Sequence, residues 1–150
     1  MTILVAYDGS ADSRAAIEFA AEHLTAEPTV VVTVWEPLLV QIKKYPLAAA
    51  AFDAGAEDAA HAQAGQHAKE GAELAIAGGM SDVTYRAVAD NESIWKRIVD
   101  VADEIDASLI VTGSRGLSGV RSVLLGSVSN HVLHHAGRPT LIVPPRKGPS

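Results

Sequence analysis

Cysteine is absent from the 150 residues, which excludes disulfides, thiolate catalysis and thiolate metal sites and fits a reducing compartment. Aromatic residues supply only 5% of the chain against 48% hydrophobic overall, so a core must come mainly from Ala, Val, Leu and Ile. No apolar run approaches the length of a membrane span. Positive charge is in deficit, with 12 Lys and Arg against 18 Asp and Glu and a formal charge of −6. That balance argues against broad binding to nucleic acid or to an anionic membrane, yet leaves room for a local anion site. The N-terminal Met1-Thr2-Ile3-Leu4-Val5 lacks a basic n-region and reaches Asp8 too soon for a signal peptide, so a cytoplasmic location is expected.

Several catalytic and binding signatures are missing as well. There is no Gly-x-x-x-x-Gly-Lys-Ser/Thr and no Gly-x-Gly-x-x-Gly, so neither a P-loop nor a dinucleotide fingerprint is present. Gly-x-Ser-x-Gly and His-Glu-x-x-His are absent too, and no nucleophile, base and orienter can be assembled from the chain. No catalytic residue is assigned. His131 and His135 have the i, i+4 spacing of zinc ligands, but without a supporting carboxylate or cysteine they are expected to be interface or surface histidines.

What the chain does contain is an alternation of strand and helix. Residues Thr2 to Tyr7 form a short apolar run ended by Asp8-Gly9-Ser10, the pattern of a strand buried on both faces. Ser10 is a good N-cap for a helix to about His23, with Ile17, Ala20, Ala21 and Leu24 at helical spacing. Thr29 to Trp35 is β-branched almost throughout and bounded by Pro28 and Pro37, a second strand. Residues 36–56 read as a long excursion with some helical character. Glu57 to Ala77 follows as an alanine-rich helix, striped by Ala64, Ala68, Ala72 and Ala75, weakened by Gly65 and Gly71 and ended by Gly78-Gly79.

Ser81 to Val88 alternates as a less buried strand, and Asp90-Asn91 is expected to cap a helix striped by Ile94, Ile98, Val101 or Ala102, and Ile105. Ala107 to Thr112 is a fourth strand, Gly126 to Ala136 a helix, Thr140 to Val143 a fifth strand, and residues 144–150 a polar tail. Trp35 and Trp95 are expected to be packing residues. No composition break or internal repeat divides the chain, so residues 1–150 are expected to form a single α/β domain. Its five-stranded parallel sheet, in the order 3-2-1-4-5, would carry helices on both faces. In that order the switch point lies between the carboxyl ends of the first and fourth strands, which are marked by Asp8 and Gly113.

The stretch from Gly113 to Ser129 is the strongest functional signal. Glycines where a strand yields to a loop and then a helix let backbone N–H groups approach an anion, and a helix start adds partial positive charge. Gly113, Gly116 and Gly126 supply the loop, while Ser127 and Ser129 offer hydroxyls and Val128 a backbone N–H. Arg115 reads equally as a phosphate partner or as a solvated loop residue. Asp8 reads as a turn residue pre-capping the first helix or as a hydrogen-bond acceptor for a ligand, and its expected place opposite Gly113 favours the second.

The spacing Gly-2x-Gly-9x-Gly-Ser, here Gly113, Gly116, Gly126 and Ser127, resembles that of the nucleotide-binding branch of the universal stress proteins. The likeness extends over nearly the whole chain, including Asp8-Gly9-Ser10 and the run Leu-Leu-Gly-Ser-Val-Ser-Asn-His-Val-Leu-His-His from Leu124. The resemblance implies a Rossmann-like fold and an ATP site in which Asp8 meets ribose and adenine and Val34 meets adenine through its backbone. The glycines with Ser127, Val128 and Ser129 would hold ribose and phosphates, with Mg²⁺ or Mn²⁺ on the phosphates. It further implies a homodimer joined through strand 140–143 and a stress-response role exerted on an unidentified protein partner. Asp90-Asn91-Glu92 stands where relatives often carry Gly-x-Pro, a departure that bears on the end of the third strand near the adenine. A slow ATP hydrolase, or a binder of AMP or a cyclic adenine nucleotide, are the alternatives.

Overall fold

A computed structural model describes residues 1–24, 27–37, 54–90, 93–114 and 127–145. The elements are β1 (Ile3–Ala6), α1 (Ala11–His23), β2 (Thr29–Trp35), α2 (Ala54–Ala77), β3 (Val83–Ala89), α3 (Ile94–Glu104), β4 (Leu109–Gly113), α4 (Ser127–His135) and β5 (Thr140–Val143). The strands form one sheet in the order β3-β2-β1-β4-β5, and every neighbouring pair is parallel. The doubly wound topology expected from the alternation is therefore the one observed.

Period-two alternation along the strands divides the core. Ile3, Val5, Tyr7, Val31 and Val111 pack against Ala16, Ile17 and Ala20 of α1 and Ala72 and Ala75 of α2. Leu4, Val32 and Ile110 point the other way, onto Ile98, Val101 and Ala102 of α3 and Val132 and Ala136 at α4. Both faces of β1 are thus buried, which is why its sequence is continuously apolar rather than alternating. Each fully buried Leu, Ile or Val contributes roughly 1.5–3 kcal/mol relative to exposure.

Element boundaries follow hydrogen bonds. Ser10 caps α1 as expected, its side chain accepting from Ser13 N–H. The expected Asp90-Asn91 cap of α3 is not what forms: the N-cap is Ser93, without a side-chain bond. Asp90 instead extends the sheet, its N–H donating to Trp35 O at 2.7 Å, and it is fully buried. Asn91, and residues 38–53 of the expected excursion, lie outside the described residues. The fourth strand begins at Leu109 rather than Ala107, because Ser108 N–H is taken by Thr2 O at 2.8 Å in the lead-in. The alanine-rich helix starts three residues earlier than its periodicity indicates, at Ala54. Ile105, expected in the buried stripe, is the C-cap of α3 and only half-buried.

Alanine and glycine let α2 lie close to the sheet. Ala64, Ala68, Ala72 and Ala75 are all buried, and a Cβ on Gly71 would stand 2.8 Å from Val31 Cγ1 and 2.9 Å from Tyr7 Cδ1. Gly65 is different, since a Cβ there meets nothing within 4 Å. Gly65→Ala is therefore expected to stabilise the fold by about 0.5–1 kcal/mol through helix propensity. Gly71→Ala should destabilise it by about 1–3 kcal/mol through overpacking. Urea midpoints of the two variants test the contrast, and a shift of both in the same direction would contradict this account of α2.

Candidate functional site

The carboxyl ends of β1 and β4 are adjacent in the sheet, while the chain leaves β1 for α1 on one face and connects onward to α4 on the other. A crevice opens between them, as the topology requires. It is a cavity of about 320 Å³ with two chemically distinct parts. Ala6, Val32, Val34, Ile94, Ile98 and Val128, all packed on one core cluster, form an apolar slot, and Asp8, Ser10 and Ser13, joined by hydrogen bonds, form a polar end with Thr112, Gly113 and Ser129.

Asp8 is a turn residue and also a cavity-lining one. Its Oδ1 accepts from Ser10 N–H at 2.9 Å and from Ser13 Oγ at 2.9 Å, the Asx-turn geometry that starts α1. The same residue lines the cavity. Gly9, at φ +83°, makes the turn possible, and a Cβ there would lie 3.1 Å from His67 Nε2. Ser10, Ser13 and Asp8 thus form one hydrogen-bonded cluster, with Ser10 Oγ accepting from Ser13 N–H at 3.2 Å.

On the opposite wall, Gly113 is needed for close approach: a Cβ would stand 2.9 Å from the backbone carbon of Asp12 and 3.0 Å from its carbonyl oxygen. Ser114 N–H donates to Val143 O at 3.2 Å. Ser129 Oγ donates to Ser114 O at 3.0 Å, so the first turn of α4 is tied to the end of β4. Five of the sequence-predicted site residues, Asp8, Val34, Gly113, Val128 and Ser129, are brought to one cavity. Ser127 opens α4 beside them. Arg115, Gly116 and Gly126 lie outside the described residues.

Other participants carry no ligand-site signal in the sequence. Ile94 and Ile98 read there only as a core stripe, yet they wall the slot. Tyr7 precedes Asp8 and is anchored from far along the chain. Its hydroxyl donates to Glu70 Oε1 at 2.5 Å, which also pairs with Arg14 Nη2 at 2.9 Å. Both tryptophans stack on histidines: Trp35 on His61 with ring centroids 5.1 Å apart, and Trp95 on His131 and His135 at 5.3 and 4.7 Å. The i, i+4 histidine pair is thus packed on an aromatic face. Among the described residues no group of three or more His, Asp or Glu is placed to hold a metal ion.

A doubly wound α/β domain with a half-apolar, half-polar crevice at its switch point belongs to the ligand-binding class of parallel-sheet proteins. Comparison with known proteins narrows the class. The model of the Universal stress protein family matches residues 1–144, and the chain belongs to that family. A universal stress protein of Mycolicibacterium smegmatis is 31% identical over 146 residues, 94% of this chain and 47% of that protein. This chain therefore spans about half the length of that relative. A universal stress protein solved in complex with cAMP is 26% identical, with a TM-score of 0.70 over 97% of this chain and 98% of that one. The structure of the universal stress protein from Archaeoglobus fulgidus has a TM-score of 0.71 at 24% identity, over 95% of this chain and 98% of that chain, a likeness of fold.

Burial, the Glu70 hydrogen bond and the Glu70 charge together push the Tyr7 phenol up from 10.0 to about 12. The folded value lies above the unfolded one, so the neutral phenol contributes stability that is fully present below pH 10 and lost as pH rises toward 12. In an ultraviolet alkaline titration of the native protein, Tyr7→Phe should remove a phenol ionisation step near pH 12. Loss of a step near pH 10 instead would contradict the Tyr7–Glu70 bond.

Proposed function

We propose that this chain is a binding module for an adenine nucleotide, with the base in the apolar slot and the phosphates at the polar end. The observation that carries the reading is the division of the cavity itself. A planar base suits Val34, Ile94, Ile98 and Val128, whereas a phosphoribosyl group suits Asp8, the serines and Gly113. The relative solved with cAMP supports the same ligand class.

Within that reading, ATP is the favoured nucleotide, on the strength of the Gly113, Gly116, Gly126 and Ser127 spacing. Asp8 serves the ribose, Val34 offers its backbone to the base, and Arg115, Ser127, Val128 and Ser129 complete the phosphate cradle. Mg²⁺ or Mn²⁺, hard cations that prefer oxygen ligands, would sit on the phosphates and neutralise the triphosphate charge.

The module acts in the cytoplasm as a nucleotide-dependent stress-response regulator toward a protein partner. Among the described residues, no helix is long and apolar enough to cross a membrane. It works as a homodimer through β5. That strand is an edge of the sheet, flanked by an apolar groove of Ala15, Phe19, Leu141 and Pro145 that a second copy would cover.

Calorimetric titration with AMP and with ATP plus Mg²⁺, joined to identification of any nucleotide released on denaturation, tests the reading. Asp8→Ala is expected to weaken either nucleotide about tenfold or more, the scale of one charge-assisted hydrogen bond. Failure of the native protein to bind or release any adenine nucleotide would refute the assignment. Steady phosphate release from ATP would replace a binding module with a hydrolase.

A further inference from the structure

Successive residues of a strand direct their backbone N–H and C=O alternately toward the two neighbouring strands. Along β2 the phase is set by observed bonds. Thr29 N–H donates to Asp82 O at 2.8 Å and Trp35 O accepts from Asp90 N–H at 2.7 Å, both on the β3 side. Val32 O accepts from Tyr7 N–H at 2.9 Å, on the β1 side. Val34, two residues beyond Val32, therefore turns its N–H and C=O toward β1 as well.

The β1 ladder does not reach it. Paired register ends with Ala6 opposite Val32. An unbroken parallel ladder would next give the Val34 N–H to Tyr7 O. That carbonyl instead accepts the Thr33 hydroxyl, at 2.8 Å in a buried setting, and Thr33 is only 4% exposed. Among the described residues no backbone bond joins Val34 to Tyr7, and Val34 lies in the cavity wall.

We propose that Thr33 is a positioning residue: its hydroxyl occupies the Tyr7 carbonyl, stops the β1–β2 ladder one bond early, and so keeps the Val34 backbone edge open to a ligand. A strand-end N–H beside its own C=O offers one donor and one acceptor to a planar heterocycle, the complement of the N1 acceptor and N6 amino group of adenine. The assignment of that heterocycle rests on the nucleotide reading above. The stopping of the ladder by Thr33 does not.

Thr33→Val keeps the β-branched shape and removes the hydroxyl. A buried carbonyl does not stay unpaired, so Tyr7 O recruits the Val34 N–H and the edge closes. Hydrogen exchange on the nucleotide-free protein should then show a fast Val34 amide in the native chain and in Thr33→Ser, and a slow one in Thr33→Val. AMP affinity should fall about tenfold in Thr33→Val, on the scale of one lost hydrogen bond, and recover in Thr33→Ser. A Val34 amide already slow in the native chain overturns the proposal without recourse to any variant. So does a folded Thr33→Val protein with unchanged exchange and unchanged AMP affinity. The expected exchange pattern without AMP binding by the native chain would support the role of Thr33 while refuting the nucleotide reading.

Discussion

The hydrogen-bonded ladder that ties β1 to β2 on one side and to β4 on the other is the constraint on which the rest of the molecule depends. A strand paired in parallel on both edges must be apolar on both faces. Once its ladder ends, the chain must leave the sheet between two neighbours whose own connections run to opposite faces. The crevice is what remains at that exit. Asp8, Gly9 and Ser10 turn the chain away, and their hydrogen bonds are spent on shaping the turn. The same turn places a carboxylate and two hydroxyls at the mouth of the cavity, so the polar end of the site is a by-product of starting α1.

Small residues set the distances at which this arrangement closes. With few aromatic side chains available, the layers approach through Ala64, Ala68 and Ala72 and through glycines where even a methyl group would collide. Gly113 is the case nearest the site, since the last residue of β4 lies against the backbone of Asp12 in the first turn of α1. That contact brings the two sides of the polar end together. Ser129 then draws α4 onto Ser114, so a helix start, a strand end and a turn share one rim without a long side chain to bridge them.

Much of the fold was legible because local chemistry and global topology agree. Thr29–Trp35 and Thr140–Val143 match their expected bounds because β-branched runs lie next to prolines. The α3 cap was misread because Asp90, a residue with strong capping preference, is drawn into the sheet by Trp35. Gly71 read as a flaw in a helix, and only the proximity of Val31 and Tyr7 shows why a larger residue does not fit. In the site, the glycine spacing and Asp8 were visible because each is a local pattern. The Tyr7–Glu70 bond joins residues 63 positions apart, and Ile94 and Ile98 serve core and cavity with the same side chains. Neither can be separated from ordinary packing before the sheet order is known.

The two tryptophans, each stacked on histidine, sit one residue past cavity-lining positions, Trp35 after Val34 and Trp95 after Ile94. They are the only tryptophans in the chain. Emission excited where tyrosine does not absorb therefore originates from two residues that each directly follow a cavity-lining position. Each emitter lies against an imidazole ring, so a change in that stacking alters its surroundings. The molecule carries its own pair of optical reporters, and an unlabelled sample is enough to follow what happens at its switch point.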